Sequence, residues 1–505
     1  MNDNLVLAPV LIHLFTALIQ LIFWRKTLTH RVLSIVGCFI GLIISFVLFH
    51  SVFYGEILTL EAGSWKPPFG IVFVADTFST TLVLLTSIVS LAVSLFSFVG
   101  VGRARILYGY FPIFHFLVMG LIGAFLTGDI FNLYVWFEVV IISSFVLMTL
   151  GGRKAQLEGA VKYMSLNILA STFFLTGIGI LYGITGTLNM ADLANKIPLI
   201  ENQSIVNMTA TFFLIGFGIK SAVFPLYFWL PSSYHTPPSA VAAIFGGLLT
   251  KVGLYAMFRV FTLIFTPDDF LKTVFIGIGI MTILTGVFGA VIKTNIRRLF
   301  SYLIICHIGF IMGGLGLYTH IAFMGAIFYL IHDIIIKTNL FLISGLIRQL
   351  RGTMDMDRLG GLYNQYPKIS LMIALVLFSL VGIPPLSGFW SKIYLIRASL
   401  IVENWWLIAG IIIGSFVTLF VIAKLWSEVF WKSASEDQII SDSFTAMPMS
   451  RKIFFVSPIL LLTVVTLYIG LNAEMVISVA EKISNEMVNT NPYVDAVLGK
   501  KGTYD

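Results

Sequence analysis

Between Phe212 and Arg259 the chain reads FFLIGFGIKSAVFPLYFWLP, SSYHTPPSA, then VAAIFGGLLTKVGLYAMFR. Two apolar runs, each long enough to cross a bilayer, carry single lysines near mid-depth, Lys220 and Lys251. An ammonium at the centre of a membrane helix costs about 2.5–3.5 kcal/mol on insertion scales, so such residues point to function. Pro225, five residues past Lys220, removes a backbone donor and predicts a broken helix with freed carbonyls beside the charge. Ionisable groups at broken helices are how transporters build ion pathways. The plain alternative, a lysine snorkelling to the surface, suits a residue near a helix end and fits these two poorly.

Other ionisable residues fall inside apolar runs. Glu138 lies in FNLYVWFEVVIISSFVLMTL with no charged neighbour in its own helix, and His307 lies in YLIICHIGF. His332, Asp333 and Lys337 share YLIHDIIIKTNLFLISG, and Lys392 follows the irregular stretch LVLFSLVGIPPLSGFW. Several have ordinary readings. His307 could be a packing histidine. Asp333 and Lys337 are four apart, so Asp333 could neutralise Lys337 in place. His332 and Lys337 are five apart, about 140° around an ideal helix, and share one path only if that helix is kinked or carries a π-bulge. Lys424 and Glu428 read as a surface pair, and Arg259 as a snorkelling residue. Glu138, Lys220, Lys251 and Lys392 have no such easy alternative. The set suits proton transfer: burial lowers a lysine's pKa and raises a glutamate's, while proximity opposes both shifts. A Lys–Glu pair that separates and re-forms can load and release a proton near neutral pH.

The elements that must position these groups are membrane helices. Of 505 residues, 58% are hydrophobic and 11% charged, which implies an all-α polytopic membrane protein and excludes a soluble domain. Fourteen spans are expected: Leu5–Phe23, Val32–Phe53, Thr80–Val99, Leu107–Leu126, Ile130–Leu150, Tyr163–Ile184, Ala210–Leu230, Ala240–Phe265, Val274–Ile292, Leu299–Leu317, Ile321–Ile347, Ser370–Phe389, Trp405–Phe430 and Phe454–Leu471. Basic residues such as Arg103, Arg153, Arg297 and Arg351 follow odd-numbered spans, while acidic ones such as Glu56, Asp76 and Asp268 follow even-numbered spans. By the positive-inside rule both termini are expected outside. The net charge of +7 is thereby read as membrane orientation rather than nucleic-acid binding. The start, Met-Asn-Asp-Asn, lacks a basic leader, so the first span is expected to be retained. The mixed charges after Leu471 suggest a solvated end.

Several classes are disfavoured. Cys38 and Cys306 lie far apart in apolar runs and read as packing residues, so no metal site is expected. No Walker A pattern is present, and Gly177-Ile-Gly179 and Gly277-Ile-Gly279 read as helix packing. Eight histidines without suitable pairing argue weakly for haem, and no cofactor is expected. A lysine-rich midplane suits a proton conductor better than a sodium cage. A slight internal echo relates Pro225-Leu-Tyr-Phe-Trp229 to Pro385-Leu-Ser-Gly-Phe-Trp390, each near a lysine.

The Glu138 helix, AVKYMSLNILAS from Ala160, the Lys220 helix with FWLPSSYHTPPSAVAAIFGGLLTK, KTNIRRLFSYLIICHIGF from Lys293, HDIIIKTNLFLISG from His332 and GIPPLSGFWSK from Gly382 occur in that order. Over roughly Tyr110 to Lys392 the chain resembles the antiporter-like membrane subunits shared by Mrp-type cation/proton antiporters and respiratory complex I. The resemblance implies fourteen helices with an inverted repeat, helices 4–8 against 9–13, and broken helices 7 and 12. It implies segments 1–106 (helices 1–3), 107–265 and 266–432 (the two repeats) and 433–505 (helix 14 and tail). By position, Glu138 would pair with Lys220 as a proton-loading switch. Lys251, His332 and Lys337 would form a central relay, and Lys392 would stand near one exit. His235 would lie near the cytoplasmic entrance, unless it simply orders its turn. Lys392 disfavours the complex I member that has glutamate there, and the length is most similar to an Mrp D-type subunit. The implied role is a proton-conducting subunit of a bacterial plasma-membrane Na+/H+ antiporter, partnered by a large A-type subunit and small membrane subunits. The alternatives are a pump module of complex I or a membrane hydrogenase, and a single-chain solute symporter.

Overall fold

A computed structural model describes residues 3–433, 444 and 447–499. The chain is helical almost throughout, as its long apolar runs require when every backbone polar group must be satisfied within its own segment. In chain order the helices are α1 (Ala8–Ile22), α2 (Thr27–Phe53), α3 (Thr77–Gly100), α4 (Arg103–Leu107), α5 (Tyr110–Leu126), α6 (Ile130–Thr149), α7 (Lys154–Thr185) and α8 (Met190–Lys196). Then come α9 (Gln203–Ser221), α10 (Trp229–Ser233), α11 (Ser239–Ile244), α12 (Thr250–Leu263), α13 (Asp269–Val291), α14 (Ile296–Leu317) and α15 (His320–Arg351). The last are α16 (Leu362–Gln365), α17 (Pro367–Val381), α18 (Ser387–Ile401), α19 (Trp405–Trp426), α20 (Met449–Leu471), α21 (Ala473–Val488) and α22 (Asn491–Leu498). Among the described residues eleven helical stretches are long and apolar enough to cross a membrane. Three shorter apolar helices, α1, α5 and α17, accompany them.

Both expected interruptions are present. α9 ends at Ser221, where Ala222 turns left-handed at φ 59°, and the chain resumes helically only at Trp229. α17 ends at Val381 with Gly382 at φ 89°, and α18 begins at Ser387. Glycine suits the second turn because it lacks the Cβ that penalises positive φ. A third irregularity was not legible in the sequence: α11 joins α12 through one π-turn over Phe245–Leu249. α15, by contrast, is α-helical throughout, without the kink or π-bulge that would align His332 with Lys337.

The interior is formed by α12, α14 and α15, whose apolar windows are 94–100% buried, while α7 and α13 present broad outer faces. α13 and α14 meet at glycines: a Cβ added at Gly309 would lie 2.6 Å from the Gly279 carbonyl oxygen and 2.6 Å from the Ile283 nitrogen. Gly279 thus packs as its sequence context suggests, whereas Gly277 faces open space.

Three expectations need correction. The stretch after Leu471 is not a solvated end. α21 buries Val476, Val479, Ala480, Ile483 and Met487, and its Ser484 hydroxyl donates to the His320 carbonyl at the start of α15. Its charges line one face, so a mixed-charge sequence conceals an amphipathic helix. Arg259 does not snorkel but is buried against Asp76, Nη2 to Oδ2 2.5 Å. Glu428 pairs with Lys432 at 3.0 Å rather than with Lys424. A short antiparallel hairpin, β1 (Leu58–Glu61) with β2 (Val72–Ala75), closes the end of the bundle where α3 begins. Most of the hydrophilic piece between residues 431 and 452 lies outside the described residues.

Replacing Gly309 with Ala should cost about 1–3 kcal/mol by overpacking the α13–α14 contact. Thermal unfolding of the purified protein in detergent would read this as a lowered midpoint; an unchanged midpoint would contradict so close an approach.

Candidate functional site

Every mid-membrane lysine meets a backbone carbonyl or sits beside one, and three do so where a helix is broken. Lys392 Nζ donates to Val381 O, at the frayed end of α17, at 2.6 Å. Lys251 Nζ donates at 2.9 Å to Gly246 O, inside the π-turn. Lys220 sits in the last turn of α9, whose Ile219 carbonyl is taken by the Trp229 indole N–H at 2.9 Å. Helix C-termini carry partial negative charge and leave carbonyls unpaired, so they favour an ammonium there. Lys337 donates to Leu303 O across to α14 at 3.0 Å.

The most highly charged cluster centres on Asp333, which is wholly buried. Its Oδ2 lies 2.8 Å from Lys251 Nζ, and its Oδ1 lies 2.7 Å from His307 Nδ1 and 3.9 Å from Lys337 Nζ. Asp333 therefore does more than neutralise Lys337 in place. It bridges α12, α14 and α15. His307, which could have been a packing residue, is a direct partner of that carboxylate. His332 points elsewhere: its Nδ1 is 2.7 Å from Ser387 Oγ, which is 2.7 Å from Ser379 Oγ, so it serves the break before Lys392. The His307 and His332 rings lie 6.5 Å apart, centroid to centroid.

Glu138 and Lys220 do not touch directly. Ser171 on α7 stands between them, its hydroxyl donating to Glu138 Oε1 at 2.5 Å and accepting from Lys220 Nζ at 3.3 Å. Lys220 Nζ also rests over the Phe137 ring at 4.7 Å. A void of about 20 Å3 beside it, bordered by Tyr163, Asn167 and Trp229, is of single-water size. Glu138 is only half-buried, contrary to its reading as a buried residue. It opens on a cleft of about 300 Å3 with Tyr134, Ser171, Thr172 and Thr176. Next to Lys220 and Lys251 in the chain, the hydroxyls of Ser221 and Thr250 are buried without a protein partner, the condition that draws water to buried polar groups.

At the end of the bundle bearing the basic loops, His235 lies in a cavity of about 240 Å3 with Glu158, Lys162, Lys293, Arg298 and Tyr302. Its Nδ1 is 2.9 Å from Pro231 O and its Nε2 is 3.1 Å from Arg298. Burial, then the Arg298 charge, push its pKa down to about 4, so the ring is neutral at physiological pH. Arg297, counted in the sequence only as a loop charge, is buried and donates to Pro237 O at 2.7 Å and to Ser344 Oγ at 3.1 Å. Ser171, Asp333 and Arg297 are the residues that the sequence reading undervalued. Ser171 lies in the quoted AVKYMSLNILAS stretch, but nothing in its own sequence context singles out that hydroxyl.

Cys38 is buried, beside two histidines that its sequence position did not point to. Its sulfur and the ring nitrogens of His13 and His115 lie within 4.8 Å of one another. The two rings are hydrogen-bonded, Nδ1 to Nδ1 2.9 Å, and His115 Nε2 meets Ser34 Oγ at 3.0 Å.

With this geometry in place, comparison with known proteins is direct. Residues 127–418 match the family described as NADH:quinone oxidoreductase/Mrp antiporter, TM. The chain is 40% identical, over 98% of its length and 99% of the relative's, to the D-type subunit of the Na+/H+ antiporter of Alkalihalophilus pseudofirmus. It is 39% identical to that of Bacillus subtilis, with the same shares covered. Among solved structures it is similar to a chain of the Mrp complex from Dietzia sp. DQ12-45-1b, with TM-score 0.90, 28% identity and coverage of 99% of this chain and 100% of the other. It also resembles a chain of the membrane-bound sulfane sulfur reductase, an archaeal respiratory membrane complex, with TM-score 0.90, 27% identity and coverage of 98% and 100%. This chain belongs to the NADH:quinone oxidoreductase/Mrp antiporter family, and the two relatives named above are D-type subunits of Na+/H+ antiporters.

Proposed function

We propose that this chain is the proton-conducting subunit of a multisubunit Na+/H+ antiporter, a secondary transporter and not an enzyme. It would act beside a large A-type subunit and small membrane subunits in a bacterial plasma membrane. The observation that carries the reading is the set of buried ionisable residues anchored to the helix breaks. The Glu138–Ser171–Lys220 group, the Lys251–Asp333–His307–Lys337 group and the His332–Ser387 and Lys392 pair follow one another through the bundle. In each, a proton can pass to a neighbour by a small change of side-chain position, and the unpartnered hydroxyls of Ser221 and Thr250 suit water as the carrier between groups.

In this account Glu138 and Lys220 load the proton through Ser171. Lys251, His307, His332 and Lys337 relay it, and Lys392 hands it on. His235 and its cavity form the cytoplasmic mouth. The basic loops on that end support a cytoplasmic side there by the positive-inside rule, with both termini outside. The half-exposed Glu138 supports assembly, because a carboxylate on the flank of an apolar helix needs a protein neighbour to cover it. The repeat assignment, 107–265 against 266–432 with 1–106 and 433–505 outside it, is supported by the two breaks that each precede or carry a lysine. A redox-driven pump is the second reading, favoured by the similarity to a respiratory membrane complex.

In everted vesicles containing the whole complex, Lys220→Ala should abolish sodium-dependent pH change while the complex still co-purifies. Retained exchange would refute the loading role. Ser171→Ala should cut the rate roughly 10-fold or more by removing the bridge between Glu138 and Lys220, and Ser171→Thr should restore it. A tagged preparation should be colourless; flavin and iron–sulfur absorbance would favour the redox-driven reading.

A further inference from the structure

At the end of the bundle opposite His235, a second ionisable assembly exists that the route above does not use. Glu486, in the last turns of α21, reaches the start of α3. The Thr77 backbone N–H donates to its Oε2 at 3.2 Å, and the Thr77 hydroxyl to its Oε1 at 2.5 Å. The preceding residue, Asp76, caps α3 through Ser79 and pairs with Arg259. Arg259 Nε donates to the Tyr255 hydroxyl at 3.4 Å, and its guanidinium lies 5.0 Å from the Tyr493 ring centroid. Lys251, Tyr255 and Arg259 are spaced four apart on α12 and so share one face over about 12 Å. The Tyr493 hydroxyl is buried without a protein partner, which again suits water. On its other side Glu486 lines an open cavity of about 1000 Å3 with Glu56, Lys482, Asn485, Asn489 and Asp495.

We propose that Glu486 is a proton-exchange group at a second, extracytoplasmic port, passing protons between this cavity and the Asp76–Arg259–Tyr255 string that leads along α12 to Lys251. The inference rests on the reading of the chain as a proton conductor. On each passage one O–H bond of a hydronium in the cavity breaks as one forms on the Glu486 carboxylate, and that bond breaks in turn as a new O–H bond forms on water at the Asp76–Tyr493 side.

The groups facing Glu486 suit the task. Burial first, then the negative charge of Asp76, push its pKa up to about 7, against the Thr77 hydrogen bonds and the more distant positive charges of Lys482 and Arg259. Lys482, one turn back on α21, spends its ammonium on the carbonyls of Val52 and Phe53, at 2.9 and 2.8 Å, and leaves Glu486 unpaired by any cation. Glu56 after α2 and Asp495 on α22 add negative charge at the cavity wall, while Tyr255 and Tyr493 bring hydroxyls from α12 and α22. The His320 backbone, from the start of α15, fixes α21 through Ser484. A carboxylate so placed, half in a cavity and half on a charged string, exchanges protons near neutral pH.

The competing role is a structural tie between α21 and α3. The whole antiporter complex in everted vesicles, with the lumen buffered at steps from about pH 6 to about pH 9, separates the two. Glu486→Gln should slow exchange roughly 10-fold or more and flatten its dependence on lumenal pH, with the dependence on bath pH unchanged. Glu486→Asp should restore a lumenal pH dependence. Thr77→Ala removes the hydroxyl that stabilises the carboxylate, so its lumenal midpoint should move to higher pH. A wild-type rate and profile in Glu486→Gln would overturn the proposal, as would a uniform loss that Glu486→Asp does not relieve. If the Gln variant does not assemble, an unmoved midpoint in Thr77→Ala would overturn it. The unmodified complex in the same vesicles reports on the parent reading separately, since absence of proton coupling there would refute that reading whatever the variants do.

Discussion

The buried carboxylate of Asp333 is the constraint on which the centre of the protein depends. Two ammonium groups, Lys251 and Lys337, and the His307 imidazole converge on it with no exposure to solvent. Placing such charges in a low-dielectric interior costs several kcal/mol per ion, and mutual attraction offsets that only when geometry is good and the remaining donors are satisfied. Here carbonyls take part of that role, Gly246 O for Lys251 and Leu303 O for Lys337, while His307 Nε2 is buried without a protein partner. Three helices are thereby fixed in mutual position by one side chain. In the proposed relay, moving a single proton within the cluster would redistribute every attraction in it.

The helix breaks follow from the same need. A continuous helix largely consumes its own carbonyls, so an ammonium at mid-membrane depth finds a free acceptor most readily where the ladder opens, whereas Lys337 shares the Leu303 carbonyl inside α14. The end of α17 at Gly382 provides one for Lys392, and the π-turn at Phe245–Leu249 provides one for Lys251. In the proposed path Pro225, Gly382 and the π-turn therefore take part as much as the lysines do. Lys220 is held more loosely, by Ser171 and the face of Phe137 beside a water-sized void. That looser seat supports the proposed exchange of a proton with Glu138.

Much of this was legible in the sequence, and the reason is physical. Each apolar run admits only a helix, so the expected spans overlap helices, two of them across a break, and eleven helical stretches among the described residues are long and apolar enough to cross a membrane; proline and glycine marked both breaks. Charges inside those runs marked the site. Partnership was not legible, because it depends on which faces of distant helices meet. Asp333 looked like a local partner of Lys337, yet its closest cation is Lys251, 82 positions away in the chain. Ser171 is one of many serines, and only its place between Glu138 and Lys220 distinguishes it. The π-turn in Phe-Gly-Gly-Leu-Leu leaves no compositional trace, and α21 was misread because its charges hid a buried apolar face.

The central claim, that Asp333 holds the buried cations and thereby the relay, is tested most directly by Asp333→Asn in the assembled complex. Thermal stability and cation-driven proton exchange would be measured together, beside the double variant Asp333→Asn with Lys251→Met. The account predicts that the single change destabilises the protein by about 3–5 kcal/mol, because it leaves buried ammonium groups uncompensated, and that exchange is lost. The double change should recover stability and leave exchange absent. Wild-type stability in Asp333→Asn would contradict the account.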